Sequence, residues 1–202
     1  EGTITKYYSD YSDLIIPPYL DGKPVETIGS SAFENEKLTS IRLPNTLKTI
    51  ESNAFKTNSI VKVTIPSSVE IIGNSAFQGN LLTELNLSTG LIFIGKSAFE
   101  GNEIDKVILP EGILSVENNA FENNNISELQ LSSTIKHLGG RSFRYNSIKD
   151  VLLPNSIVYL GYDVFSDNGL SSFMLPTPNI EGAWSSGSLS GDIITNTNTI
   201  HV

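Results

Sequence analysis

Apolar and polar positions follow a 22-residue period along most of the chain, with one phenylalanine in each copy. The recurring block has the form I-G-x-x-A-F-x-x-N, and residues 94–102 are one copy of it. Such repetition predicts a stack of similar coils, because no single coil buries its own hydrophobic face. The core-filling rings are expected to be Phe33, Phe55, Phe77, Phe99, Phe121, Phe143 and Phe165.

Each copy begins with two apolar residues at alternate positions, such as Ile41 and Leu43. This spacing predicts a short strand with both side chains directed inward, and stacked coils place such strands side by side in parallel. Proline follows at positions 44, 66, 110, 154 and 176, and is expected to end the strand because it lacks a backbone donor. Serine takes the same position at 88 and 132.

A second apolar pair lies three residues apart, as in Leu47 and Ile50, and predicts another inward-facing segment. Glycine follows this pair at positions 73, 95, 139 and 161, where we expect a turn in which a positive φ would cost little. Asparagine then occurs three residues after each phenylalanine from Phe55 onward, and we expect these amides to bond the backbone of their own and adjacent coils. They are Asn58, Asn80, Asn102, Asn124, Asn146 and Asn168.

The two ends of the chain depart from the period. Residues 1–17 alternate in a strand-like way and predict an N-terminal β-hairpin cap, which would cover an open core and strand edge. Residues 18–176 form the solenoid of about seven 22-residue coils. Residues 177–202 hold Trp184 in a Gly/Ser-rich run, and predict either a C-terminal cap or the start of a following β-domain.

The repeat L-x-x-V-x-L-P-x-x-L-x-x-I-G-x-x-A-F-x-x-N closely resembles the BspA-like (treponemal-type) leucine-rich repeat of bacterial surface proteins, over about residues 14–176. The resemblance implies a right-handed, curved leucine-rich-repeat solenoid with short parallel strands on its concave face. It also implies export to the bacterial cell surface and adhesion to host or matrix proteins. Residue 1 is Glu and no signal peptide is visible, so we expect a processed form or a piece of a longer protein.

The acidic composition narrows the function classes. A net charge of -9 and a pI near 4.7 argue against a general nucleic-acid binder and against electrostatic membrane binding. No apolar run is long enough to insert in a bilayer. The chain has no cysteine, which removes thiol catalysis and Cys-ligated metals.

Catalytic and cofactor chemistry is not expected. The two histidines, His137 and His201, fall in different coils, and no metalloprotease, phosphate-binding or dinucleotide motif is present. Asp163 and Asp167 lie near Gly169 but lack the ligand spacing of a calcium loop. We therefore expect no catalytic residue, no metal and no cofactor.

Candidate binding residues lie on the outward positions of the coils. Lys62, Glu84, Lys106 and Glu128 would stack as an alternating ladder of charge, which is chiefly a structural feature. The next outward column becomes apolar towards the C-terminus and would form a protein-binding strip, unless the tail covers it. This strip consists of Ile108, Leu152 and Met174.

A second candidate surface lies between the members of the Leu/Ile pairs. Ile71, Ile92, Phe93 and Leu114 occupy these positions in three consecutive coils, where other coils carry polar residues. They predict a contiguous apolar patch that contacts a partner protein, another copy of the chain or a flanking domain. The alternative is partial burial under an edge of the same solenoid.

Two further hypotheses accompany the adhesive, non-enzymatic module. One is a structural spacer or assembly element of a larger surface protein. The other is a glycan-binding lectin, which we rank last because the outward positions of the strand columns show no Trp or Tyr.

Overall fold

The computed structural model describes residues 2–8 and 10–171 in full, and the backbone of residues 172–174, 193–194 and 199–201. It confirms a parallel β-solenoid with the 22-residue period of the phenylalanines. The strands are β1 (Thr3–Ile4), β2 (Asp13–Ile15), β3 (Tyr19–Leu20), β4 (Lys23–Pro24), β5 (Thr27–Ile28), β6 (Ser40–Arg42), β7 (Thr49–Ile50), β8 (Lys62–Thr64), β9 (Ile71–Ile72), β10 (Glu84–Asn86), β11 (Phe93–Ile94), β12 (Lys106–Ile108), β13 (Ser115–Val116), β14 (Glu128–Gln130), β15 (His137–Leu138), β16 (Asp150–Leu152), β17 (Tyr159–Leu160), β18 (Ser172–Met174), β19 (Ile193–Ile194) and β20 (Thr199–His201).

Two columns of strands enclose the core. The second apolar pair of each coil contributes to a continuous eight-stranded parallel sheet in the order β1-β5-β7-β9-β11-β13-β15-β17. The three-residue strands form the other column, which is divided into smaller sheets. None of the described residues belongs to a helix of the length and apolarity needed to cross a membrane.

The N-terminal hairpin expected over residues 1–17 is wrong. Strand β1 pairs in parallel with β5, and β2 pairs in parallel with β6, with Leu14 opposite Ile41. The reason is that Leu14, Ile16 and the following proline repeat the strand pattern of the later coils, so this segment forms an additional coil. The antiparallel hairpin is β3–β4, within the insertion that follows.

The phenylalanines form one buried stack, as predicted. Consecutive rings lie 5.1–5.8 Å apart between centroids, with interplanar angles of 2–14°. Tyr7 packs against the first ring, Phe33, at 5.3 Å between centroids and with a tilt of 44°. Each coil thus completes its hydrophobic contacts with rings from the coils above and below.

The asparagine column is also confirmed as a structural ladder. The side-chain amide of Asn102 donates to the carbonyl oxygens of Phe77 and Phe99, both at 3.0 Å. Its Oδ1 accepts from the backbone N–H of Leu82, at 3.1 Å. The same three bonds recur at the other members of the column, so each amide joins its own coil to the preceding one.

The glycines of the I-G pair do not have the positive φ that the sequence suggested. They are required instead by close approach between coils: a Cβ at Gly139 would lie 2.4 Å from the backbone nitrogen of Asn118. Positive φ occurs two residues before each phenylalanine and two residues after it. These positions are Ser31, Asn53, Ser75, Ser97, Asn119, Arg141, Asp163, Asn35, Thr57, Gly79, Gly101, Asn123, Tyr145 and Asp167.

Substituting Gly139 tests this contact. We expect Gly139→Ala to lower the free energy of unfolding by about 3 kcal/mol, because the added methyl group forces two backbones apart. Gly169→Ala is the matched control, since a Cβ there meets open space. Equal stability of the two variants in urea unfolding would contradict close packing of the coils at Gly139.

At the C-terminal end, β18 pairs in parallel with β16 and antiparallel with β20, which pairs with β19. The two tail strands thus extend the sheet of the last coil. The solenoid boundary placed at residue 176 and the capping role of Trp184 lie outside the described residues.

Candidate binding surfaces

The three-residue strands of successive coils pair in twos, and the tail strands β20 and β19 extend the last pair. Strand β2 pairs with β6, β8 with β10, β12 with β14 and β16 with β18. Within the described residues no ladder joins β6 to β8, β10 to β12 or β14 to β16, although the neighbouring eight-stranded sheet is continuous. Each two-strand unit therefore has free edges towards the next.

This pairing corrects the predicted ladder of charge. Lys62 forms an ion pair with Glu84, and Lys106 forms one with Glu128 at 2.6 Å, each within a two-stranded sheet. Among the described residues no ion pair joins Glu84 to Lys106. All four side chains are about half exposed, so each pair adds little stability.

The gap between β10 and β12, termed the central seam, opens into a cleft. Its volume is about 330 Å³. Leu85 and Leu87 form part of the lining and are only half-buried, whereas the equivalent Val107 and Leu109 of the next coil are buried. Ile108 also lines the cleft. The open ladder thus exposes apolar side chains that a closed sheet would cover.

The backbone direction explains which polar groups face the central seam. Ile65 donates to the carbonyl of Asn86, and Leu109 donates to that of Gln130. Because N–H and C=O groups alternate in direction along a strand, the backbone groups of Ile108 point towards β10. They have no partner in a ladder there.

Proline accounts for part of this arrangement. Pro110 follows β12, and by the same alternation its nitrogen faces β10, where it offers no hydrogen. Pro66 and Pro154 occupy the equivalent positions beside the other two gaps. Pro44 follows β6, which does pair with β2, so proline permits an opening without requiring it.

On the other side of β12, side chains reinforce the paired strands. Glu111 accepts hydrogen bonds from the backbone N–H of Ser133 at 3.0 Å and from its hydroxyl at 2.7 Å. These bonds favour the carboxylate and lower the pKa of Glu111. Side-chain hydrogen bonds thus join the coils of β12 and β14 just beyond their strands. No equivalent bond crosses the central seam among the described residues.

The structure divides the predicted apolar strip. Ile108 is 44% exposed and lies at the central seam, while Leu152 is 67% exposed on β16. Strand β14 lies between them and carries Gln130, so the two apolar side chains belong to separate positions on this face. Met174 is opposite Leu152 in register, and its side chain lies outside the described residues.

The structure brings the predicted apolar patch together. Ile71 and Phe93 are opposite each other in register on β9 and β11, and the backbone N–H of Leu114 donates to the carbonyl of Ile92 at 2.9 Å. Ile71, Ile92 and Leu114 are 40–42% exposed, and Phe93 is half-buried. The patch therefore occupies the outer face of the eight-stranded sheet, without cover from described residues.

Sequence reasoning missed a group of aromatic and cationic contacts in the last coils. His137 stacks on Tyr159 at 4.4 Å, and the guanidinium carbon of Arg141 lies 5.1 Å from the ring of Tyr162. Arg144 lies over Tyr145, and its hydrogen bond to Asp167 raises its pKa further. The signal was tyrosine at positions 145, 159 and 162, where no earlier coil has tyrosine.

The histidine and the two aspartates that the sequence singled out lie beside charged side chains. His137 is 3.9 Å from Glu117, and Asp163 and Asp167 face Arg141 and Arg144. No cluster of histidine and carboxylate side chains that would hold a metal occurs in the described part of the chain.

A family model described as BspA type leucine rich repeat region matches six copies, over residues 7–107 and 72–183. A leucine rich cell surface protein from Faecalibacterium prausnitzii A2-165 is 26% identical, with a TM-score of 0.67, over 86% of this chain and 52% of that one. A leucine-rich repeat protein from Bacteroides ovatus ATCC 8483 is 24% identical, with a TM-score of 0.61, over 85% and 53%. The chain thus spans about half the length of these two proteins.

The leucine rich repeat protein of T. pallidum is 25% identical, with a TM-score of 0.57, over 70% of this chain and 79% of that one. No curated protein matches the chain. The repeat pattern, the solenoid and the family match over most of the sequence agree, and the chain belongs to the BspA type leucine rich repeat family.

Proposed function

We propose that the chain is a non-enzymatic protein-interaction module on the outside of a bacterial cell, and that it adheres to host or matrix proteins through the central seam. The observation that carries the proposal is the apolar cleft between β10 and β12, with unpaired backbone groups at its edge. The likeness to a leucine rich cell surface protein supports the location.

The central seam offers two kinds of contact that a protein segment uses. Leu85, Leu87 and Ile108 supply apolar area for a side chain of the partner. The backbone groups of Ile108 supply hydrogen bonds to a polar group of the partner, since Cα atoms of β10 and β12 lie within 8 Å of each other and leave no room for a whole strand. The ion pairs Lys62–Glu84 and Lys106–Glu128 neutralise four charges beside the cleft, and Asp105 is the one charged residue of its lining outside these pairs. Partner selection therefore rests chiefly on shape and apolar contact.

Rigidity supports the same function. The central seam lies in the middle of the stack, where Phe77, Phe99 and Phe121 are buried and the asparagine ladder is complete. A surface held in this way loses little conformational entropy when it binds, which leaves more of the contact energy for affinity.

Ile108→Asp tests the site directly. We expect about a tenfold or greater loss of binding to cultured host cells and purified matrix proteins, because a carboxylate enters the apolar cleft. Leu81→Asp is the matched control, since Leu81 is 45% exposed against 44% for Ile108 and does not line the cleft. Binding is measured as the amount of fluorescently labelled protein retained on the cells or on the immobilised matrix proteins. Thermal unfolding of each variant shows that it is folded.

Equal loss of binding in the two variants would contradict the assignment of the central seam. A folded wild-type chain that binds neither host cells nor matrix proteins would contradict adhesion altogether. That result would favour a spacer that holds another domain away from the cell wall.

A further inference from the structure

The outer face of the eight-stranded sheet has a symmetric arrangement of charged and apolar side chains. One outward column contains Glu70, Ile92, Leu114 and Lys136 in consecutive coils, and backbone bonds join each member to the previous one. The apolar pair occupies the centre, and opposite charges lie one coil beyond it on either side. All four side chains are exposed.

The two charged groups are available to a partner. Lys48, the nearest cation to Glu70 along the column, makes its close ion pair with Glu26 at 2.6 Å. The hydrogen bond and charge of Glu26 are the main causes of the raised pKa of Lys48, and Glu70 adds a smaller contribution. Among the described residues, neither Glu70 nor Lys136 takes part in an ion pair within 4 Å.

From this symmetry we infer that two copies of the chain associate face to face through the eight-stranded sheet, about a two-fold axis that runs parallel to the strands between β11 and β13. Under this rotation the strands of the two copies run in the same direction, while their coils are stacked in opposite order. It places Ile92 against Leu114 of the second copy, and Glu70 against Lys136 of the second copy. Each contact occurs twice, as in any isologous interface.

The neighbouring outward column fits the same axis. Phe93 faces Ser115 of the second copy, so a large ring meets a small side chain rather than another ring. Ile71 faces His137 of the second copy, whose ring already stacks on Tyr159. Two aligned sheets pack in this way when one face of each is apolar at its centre.

The dimer is expected to be weak. With the axis between β11 and β13, six strands of each sheet overlap, from β7 to β17, so the shared face is about 29 Å long at about 4.8 Å per strand and only two outward residues wide. This area is smaller than the roughly 800 Å² per partner of a standard interface. Association therefore depends on concentration, as in a dense layer of copies on one surface, and on low ionic strength.

The interface does not use the central seam, so a dimer leaves two seams free. Two linked sites raise the apparent affinity for a surface that carries many target molecules. The inference is independent of the proposed adhesive function: either can fail while the other holds.

A charge reversal tests the two-fold geometry by sedimentation equilibrium at low salt, over micromolar to millimolar protein. We expect Glu70→Lys and Lys136→Glu each to weaken the dimer by about tenfold or more, because each creates two like-charge contacts. The double variant restores the pairs with reversed polarity and is expected to dimerise like the wild type. Glu103→Lys and Lys149→Glu are controls with the same changes in net charge at exposed positions away from this sheet.

A wild-type chain that stays monomeric throughout would overturn the inference. Dimerisation that the single variants leave unchanged, or that the double variant fails to restore, would overturn the proposed axis. Circular dichroism and thermal unfolding establish that every variant is folded, and Ile108→Asp is expected to dimerise normally.

Discussion

Phe99→Ala is expected to lower the free energy of unfolding by about 3–5 kcal/mol. Phe99 is fully buried and stacks on Phe77 at 5.4 Å and on Phe121 at 5.2 Å. Removing its ring leaves a cavity between coils and takes contacts from both neighbours. Because ordinary domains are stable by only about 5–15 kcal/mol, the loss should loosen several coils rather than one.

Chemical denaturation of Phe99→Ala beside Phe93→Ala provides the measurement. Phe93 lies on the outer face of the eight-stranded sheet and is half-buried, so its removal should cost much less. Equal losses would mean that the ring stack is not the main support of the solenoid.

The second large effect is expected at the asparagine ladder. Asn102→Ala removes two donors and one acceptor. It leaves the buried N–H of Leu82 without its partner, while the carbonyls of Phe77 and Phe99 each keep one amide donor, from Asn80 and Asn124. One unpaired buried N–H and two lost hydrogen bonds are together expected to lower the free energy of unfolding by about 3 kcal/mol.

Asn125→Ala is the control, because Asn125 is exposed and contributes only a backbone bond to the preceding coil. We expect its stability in the same urea titration to match the wild type. If Asn102→Ala were as stable as Asn125→Ala, the amides would be incidental to the turn rather than its support.

The sequence was sufficient for the core and for the ladder, because both repeat in every coil. When phenylalanine or asparagine recurs every 22 residues, the equivalent residues of adjacent coils lie beside each other, and this does not depend on the exact turn conformation. The apolar patch followed from the same repeat, because Ile92 and Phe93 lie between Leu91 and Ile94, which recur as core residues in every coil.

The central seam did not follow, because it depends on differences between successive coils. Val63 and Val107 alternate with Leu85 and Leu129 along the stack. Strands that begin with lysine, β8 and β12, likewise alternate with strands that begin with glutamate, β10 and β14. This doubled period was visible, but which of its two neighbours each strand pairs with depends on small shifts between backbones. The two columns of positive φ were hidden too, because most of these positions are not glycine.

Amide hydrogen exchange at three equivalent positions distinguishes a sheet that opens between β10 and β12 from one that is continuous across them. Asn86, Ile108 and Gln130 occupy the same place in successive coils, and only Ile108 faces a gap. We expect rapid exchange at Ile108 and strong protection at Asn86 and Gln130. Equal protection at all three would show that β10 and β12 are paired and that the central seam does not exist.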